Sequence, residues 1–187
     1  SNVLIEAKGD RVSLTATDMD LAIVEHTAAE VSAPGAGTVP AHMLYDIVRK
    51  LPEGAQVQLE LGGDGGQVAI KAGRSRFTLQ TLPKEDFPTT ASGDLPHRFP
   101  LSAVDLRSLI DHTRFAISTE ETRYYLNGIY LHAHSTGKQQ ALRAVATDGH
   151  RLAQFEIPCP EGAKGMPGVI VPRKTVLELH RLLEDTG

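Results

Sequence analysis

The chain has 187 residues, 41% of them hydrophobic and 22% charged, with a formal net charge of −4. This composition is typical of a globular protein that can bury a core, and it excludes a surface coated uniformly in positive charge. No apolar run approaches membrane-spanning length, and the single Cys159 excludes an internal disulfide or a CxxC metal site, which favours a reducing, cytoplasmic location.

Short apolar runs separated by turn residues predict a strand-rich first half. The predicted strands are Val3 to Ala7, Arg11 to Thr17, Leu21 to Ser32, Gln56 to Leu61, Val68 to Lys71 and Arg76 to Leu82. A helix is predicted from Pro40 to Leu51. The stretch Gly62 to Gly66 lacks the GK[ST] ending of a phosphate-binding loop and therefore predicts a hairpin turn.

Four prolines between Pro83 and Pro100 predict a linker, which we place at 92–97 between domains at 1–91 and 98–187. The second half then repeats the mixture of strands and helices. Its predicted helices are Leu101 to Ile117 and Pro172 to Glu184. The first of these helices has Ser102 as N-cap, and Val104 and Phe115 are among its apolar positions. The predicted strands are Leu126 to His134, Ala141 to Thr147 and Leu152 to Ile157. Hairpin turns such as Lys8-Gly9-Asp10 favour an α+β fold with antiparallel sheets.

The chain repeats itself with a period of about 125 to 132 residues. Ala16 to Ile23 reads ATDMDLAI and Ala146 to Gln154 reads ATDGHRLAQ, and each is followed by a helix opened by Val-Pro. The first copy lacks the helix that precedes the second copy's first strand, and the second copy ends before three further β-like runs. We therefore expect a fragment of a longer protein made of duplicated domains.

Catalytic patterns are scarce. The sequence contains neither HExxH nor GxSxG, and Cys159 stands between two prolines with no evident base. The one enzymatic alternative is a metal-assisted hydrolase built on Asp148, His150, His132 and His134, for which no third metal ligand is identifiable beside the two strand histidines. Neither a metal nor another cofactor is therefore expected.

Arg123, Tyr124 and Tyr125 form the sharpest remaining constellation. A guanidinium and two phenols at the entry to a strand can contact a phosphate backbone and stack on an unpaired base. Because adjacent strand residues point to opposite faces, we expect one of the two tyrosines to pack into the core.

The segments RYYLNGIYL, ATDGHRLA, VIVPRKTVLEL, TVPAHMLYDIVRKLPEG and GRSRFTLQTLPKEDFP resemble the bacterial replicative sliding clamps, the beta subunits of DNA polymerase III. The resemblance covers essentially the whole chain. It implies duplicated clamp domains, each with an outer antiparallel sheet and inner helices, in a head-to-tail homodimeric ring that encircles duplex DNA. Such a protein is a non-catalytic processivity factor without cofactor or membrane attachment, and this chain would hold most of its first domain, without the N-terminal helix, and part of its second.

The resemblance also implies two kinds of site. DNA leaving the ring, including primed DNA, would contact Arg123, Tyr124 and Tyr125; Glu120 replaces a frequent Gln and would repel phosphate, and His42 replaces a DNA-contacting Arg. Short peptides of the polymerase alpha subunit and of the clamp loader would bind a hydrophobic cleft. The cleft residues in this chain would be Leu126, Thr147, Gly149, His150, Arg151 and Leu152.

Overall fold

The structure is a computed structural model that describes residues 2–18, 20–62, 66–88, 95–137 and 139–184. The chain divides into two compact units, 1–91 and 92–187. The division falls in the proline-containing stretch where we predict the linker. Residues 89–94 of that stretch lie outside the described residues.

The first unit begins with a four-stranded antiparallel sheet. Its strands are β1 (Asn2–Lys8), β2 (Arg11–Thr17), β3 (Ala22–Ala28) and β4 (Gly35–Pro40). Their order across the sheet is β3-β2-β1-β4, so β2 and β4 flank β1. Gly9 has a φ of 66° in the turn between β1 and β2, a conformation that favours glycine in a tight hairpin.

A helix and a second antiparallel sheet complete the first unit. Helix α1 (Ala41–Val48) begins directly after β4, and β5 (Val57–Leu61), β6 (Gln67–Ala72) and β7 (Ser75–Gln80) pair in that order. A 3₁₀ turn, Lys84–Asp86, follows β7. The unit's core joins all of these layers and contains Ile5, Val39, Val68, Ile70 and Leu79. The predicted Gly62 to Gly66 hairpin does connect two paired strands, although its residues 63–65 lie outside the described ranges.

The second unit starts with a helix and continues into another antiparallel sheet. Its helix and 3₁₀ turns are α2 (Ala103–Asp111), Arg114–Ala116 and Tyr124–Leu126. Its strands are β8 (Gly128–Thr136), β9 (Gln139–Thr147), β10 (Leu152–Pro158) and β11 (Val169–Pro172), followed by α3 (Arg173–Glu184). Leu109, Leu142 and Val176 are at most 2% exposed and join α2, the sheet and α3 in one core.

The two units repeat one topology, as the sequence predicts. The second sheet has the order β10-β9-β8-β11, which matches β3-β2-β1-β4 strand for strand. The register matches as well: Leu4 pairs with Thr15 and Thr38, and Tyr130 pairs with Val145 and Ile170. In both units the last strand of the sheet ends at a Val-Pro and runs straight into a helix.

The N-terminus of α2 confirms one prediction, because the backbone N–H of Asp105 donates to Oγ of Ser102 at 3.0 Å. Its C-terminus corrects another, since the helix ends at Asp111 rather than Ile117. Thr113 is fully buried and donates its hydroxyl to the carbonyl of Leu109 at 2.6 Å, which satisfies a terminal carbonyl and turns the chain into a 3₁₀ turn. Val104 and Phe115, two of the apolar positions from which this helix is predicted, are 75% and 56% exposed.

Strands β4 and β11 were not predicted, because they are short and run without a break into helices. The predicted strand Leu21 to Ser32 is shorter, at Ala22–Ala28. The predicted strand from Leu126 begins two residues later, at Gly128, where the backbone of β11 comes so close that a Cβ would lie 2.2 Å from the carbonyl oxygen of Val171. Only glycine fits there, and the preceding residues form a 3₁₀ turn instead.

Candidate peptide and nucleic-acid site

The turn between β9 and β10, residues 147–151, is held by its own hydrogen bonds; we call it the Asp148 turn. Oδ1 of Asp148 accepts from the backbone N–H groups of His150 and Arg151, each at 3.0 Å. Oγ1 of Thr147 donates to the carbonyl of Arg151 at 2.7 Å and accepts from the N–H of Gly149 at 3.1 Å. These bonds satisfy the turn's backbone groups internally and fix its shape.

The same bonds control the charge of Asp148. The backbone hydrogen bonds from His150 and Arg151, followed by the hydrogen bond from the Arg151 side chain, lower the pKa of Asp148 from 3.8 to about 2. Nε of Arg151 donates to Oδ2 at 3.1 Å. Asp148 is therefore ionised at neutral pH and acts as an anchor for the turn and for Arg151.

A second contact fixes the guanidinium of Arg151. Its Nη2 donates to the backbone carbonyl of Phe115 at 2.7 Å, and its Cζ lies 5.6 Å from the centroid of the Phe115 ring. The Arg151 side chain nevertheless remains 59% exposed. The result is a cation that is held in place and still open to solvent.

The turn presents an apolar side chain beside this cation. Leu152 is 64% exposed at the start of β10, whereas Leu126 is half-buried. Thr147 is half-buried, and Gly149, His150 and Arg151 are exposed. The residues from Thr147 to Leu152 thus form this turn and the first position of β10, and those from Gly149 onwards are exposed.

Both tyrosines of the RYYLNG segment are exposed, which corrects the expectation that one packs into the core. Tyr124 is 78% and Tyr125 55% exposed, and their rings meet edge to face with centroids 5.7 Å apart. The alternation of a strand does not apply because the segment is a 3₁₀ turn, closed by N–H donation from Leu126 to the carbonyl of Arg123 at 2.8 Å. We call residues 120–127 the tyrosine loop.

The ends of the tyrosine loop are fixed to the rest of the second unit. Ser118, which is 2% exposed, donates its N–H to the carbonyl of Leu126 at 3.1 Å, and Arg173 at the start of α3 donates to that of Asn127 at 2.8 Å. The two rings therefore project from a backbone that is held at its base.

Arg123 and Glu120, both predicted at the DNA site, form an ion pair of 3.1 Å between Nε and Oε2. Both side chains are about half exposed, at 47% and 53%, so this pair is screened by solvent and contributes little stability. The carboxylate nonetheless reduces the local positive charge that a phosphate would meet. His42 lies exposed in the first turn of α1, in the first unit.

The hydrolase alternative receives no support. His132 pairs across the sheet with Arg143. Arg143 precedes Thr147 by four residues, which is about 14 Å along an antiparallel strand, so His132 lies at a distance from Asp148 and His150. The ring of His132 stacks on Tyr130 with centroids 4.8 Å apart. Within the described residues, no group of three or more His, Cys, Asp or Glu side chains is placed to hold a metal ion.

Phe115 is the residue at this site that sequence reasoning missed. Its helical spacing from Leu109 and Ile110 placed it within the predicted helix, but the helix ends before it. The available signal was local, because Thr113 and Arg114 interrupt the apolar run just before it.

No helix in the described residues is both long and apolar enough to cross a membrane.

Two units that repeat one antiparallel sheet, each running into a helix at a Val-Pro, define a sliding-clamp fold. Residues 1–91 match the model of the N-terminal domain of the DNA polymerase III beta subunit, and residues 100–187 match that of its central domain. The chain therefore belongs to the DNA polymerase III beta subunit family.

The relatives are beta sliding clamps. That of Caulobacter vibrioides is 57% identical over 187 residues, which are 100% of this chain and 50% of that protein. That of Escherichia coli K12 is 40% identical over 184 residues, or 98% of this chain and 48% of that protein. The chain thus spans about half the length of these relatives.

Solved structures agree. Pol III beta of Caulobacter crescentus superposes with a TM-score of 0.94 at 57% identity, covering 100% of this chain and 51% of that one. A sliding clamp of Bartonella birtlesii, crystallised with bound griselimycin, gives a TM-score of 0.92 at 52% identity, covering 99% and 49%.

Proposed function

We propose that this chain is part of a DNA sliding clamp, a non-catalytic processivity factor that encircles duplex DNA and tethers the replicative polymerase. The observation that carries the proposal is the Asp148 turn. A large apolar side chain, Leu152, is 64% exposed directly after a turn held by four backbone-directed hydrogen bonds. An exposed leucine on a rigid frame, beside a fixed cation, suits a short peptide that brings one apolar anchor and a polar backbone.

The partners in this proposal are the polymerase alpha subunit and the clamp loader, which would dock by such peptides. Leu126, Thr147, Gly149 and His150 would line the cleft with Leu152, and Arg151 would form its polar rim. Griselimycin, bound by the Bartonella clamp, would occupy the same surface and compete with the peptides.

The test is peptide binding by the full-length protein. Fluorescein-labelled peptides that tile the alpha subunit would be titrated by anisotropy, and the tightest would be displaced with griselimycin. Leu152→Ala should weaken this peptide by about 1 to 3 kcal/mol, as for loss of an apolar contact in a pocket. Leu182→Ala, which truncates a leucine 56% exposed on α3, is the matched control and should leave the affinity unchanged. Equal affinities for wild type and Leu152→Ala would remove this turn from the cleft.

We propose further that the tyrosine loop touches DNA. Two exposed tyrosines beside Arg123 offer stacking faces, hydroxyl donors and a cation in one place. His42 would add a weak, pH-dependent cation on α1, and Glu120 would lower the affinity by its charge.

Ring closure belongs to the same proposal. A head-to-tail homodimer can close by pairing at an exposed strand edge, and β7 is an edge strand of its described sheet. Phe77 on β7 is 37% exposed and lines a groove of about 350 Å³ together with Met43 and Ile47 of α1. In the full-length protein, Phe77→Glu should shift sedimentation from dimer towards monomer; an unchanged dimer would place ring closure elsewhere.

The ring would act in the cytoplasm, where the thiol of Cys159 stays reduced. That thiol is half-buried against the core of the second unit.

A further inference from the structure

Arg151 is held more firmly than an exposed arginine usually is. Its guanidinium is fixed at one end by Oδ2 of Asp148 and at the other by the carbonyl of Phe115, while its Cζ lies over the Phe115 ring, 5.6 Å from the centroid. A free arginine side chain loses much rotamer freedom on binding a ligand, and prior fixation removes that loss. The N–H groups not used in these contacts stay available to a peptide.

The position of Phe115 does not come from its own burial. Around it, Thr113 and Ala116 are fully buried, and Ile117 and Ser118 are at most 8% exposed, so the backbone of this segment is anchored in the core. Phe115 itself is 56% exposed on the 3₁₀ turn. An anchored backbone thus aims both a carbonyl and an aromatic face at Arg151.

The first unit provides an internal comparison. There Oδ1 of Asp18 accepts from the N–H groups of Asp20 and Leu21 at 3.2 and 2.9 Å, which is the same turn. The residue in the place of Arg151 is Leu21, so the turn forms without a guanidinium. The contacts of Arg151 with Phe115 are therefore additional to the fold of the turn.

We propose that Phe115 is a positioning residue of the peptide cleft: it orients Arg151 to bind a carbonyl or carboxylate of a peptide whose apolar side chain contacts Leu152. The inference rests on the proposed function of the Asp148 turn. It adds a residue that makes no contact with the peptide itself and acts through the cation–π contact with Arg151.

A double-mutant cycle in the full-length protein tests this assignment, with the labelled alpha-subunit peptide as the probe. Phe115→Leu keeps an apolar side chain but removes the aromatic face, and should raise the Kd of the peptide about two- to fivefold. Phe115→Tyr keeps the face and should stay within about twofold of wild type. In an Arg151→Ala background, Phe115→Leu should have no further effect, because its only route to the peptide is gone.

The outcomes separate the inference from the function on which it rests. A Kd unchanged by Phe115→Leu, or raised equally in the presence and absence of Arg151, would overturn the positioning role; the second result would make Phe115 a direct contact. A peptide insensitive to Leu152→Ala would instead overturn the cleft, and the role of Phe115 with it. Melting temperatures show whether the variants fold, and a large loss in Phe115→Leu would assign the residue to stability and overturn the inference.

Discussion

Nη1 of Arg123 lies 3.2 Å from the position that a Cβ on Gly149 would occupy. The tyrosine loop and the Asp148 turn are thus close to each other at one guanidinium, which would have to shift by a few tenths of an ångström to admit a methyl group on Gly149. The two surfaces proposed for DNA and for peptides are therefore neighbours. A substitution in one of them affects the other through the position of the Arg123 side chain.

Gly149→Ala should disturb both surfaces. The φ of Gly149 is 90°, so a Cβ strains the backbone by about 1 to 2 kcal/mol and also displaces Arg123. Gly137→Ala is the matched control, because Gly137 has a φ of 62° and nothing within 4 Å of a Cβ. Both variants should unfold at lower temperature, but only Gly149→Ala should weaken DNA or peptide binding. Equal binding by the two variants would show that the contact with Arg123 has no consequence.

Asp148→Asn should remove a pH dependence of stability. Folding lowers the pKa of this carboxyl from 3.8 to about 2, so its ionised form stabilises the folded state fully above about pH 4 and loses this effect as the pH falls towards 2. The melting-temperature difference between wild type and Asp148→Asn should therefore shrink between pH 4 and pH 2. Asp10→Asn, in an exposed hairpin turn, is the control for removal of a charge. A difference that is constant across this range would contradict the lowered pKa.

Replacing Tyr124 and Tyr125 together by Ala should weaken binding to primed DNA without unfolding the protein. Stacking of a base on an aromatic ring contributes about 1 to 3 kcal/mol, and both rings are exposed, so little core packing is lost. Anisotropy with a labelled primed template measures the affinity. Tyr130→Ala removes the same side chain from β8 and should leave DNA binding intact; a comparable loss there would point to a general effect.

Arg123→Ala should make the salt dependence of DNA binding less steep. Loss of one phosphate contact reduces the slope of log K against log salt by about 0.9 on duplex and 0.7 on single-stranded DNA. Glu120→Gln should act in the opposite direction and strengthen binding at low salt, since Glu120 now pairs with Arg123. The gain should vanish when Arg123 is also replaced. An unchanged slope in Arg123→Ala would exclude a phosphate contact.

The repeat and its hairpins could be predicted because they depend on local signals. Alternating apolar residues and glycines at turns predict β1, β2, β8 and β9 close to their observed bounds. Strands β4 and β11 carry no such signal, since each is extended only by pairing with a distant strand.

At the candidate site, too, only the features that depend on local sequence could be predicted. The Asp148 turn could be predicted from the segment ATDGHRLA, because an aspartate side chain forms such a turn locally with the backbone N–H groups of the residues that follow it. The exposure of both tyrosines could not be predicted, and that of Phe115 was indicated only by the polar Thr113 and Arg114 before it. They follow from where a helix and a strand stop, and those points are set by Thr113 and by the approach of Val171 to Gly128.

The shared turn of Asp18 and Asp148 bears on how such proteins diverge after duplication. The aspartate binds the N–H of the residue three positions on, and this bond makes no demand on that residue's side chain, which is Leu21 in one copy and Arg151 in the other. That position was free to mutate without loss of the fold. One copy could keep a leucine while the other acquired an arginine, so that a new recognition surface could evolve on an inherited frame one substitution at a time.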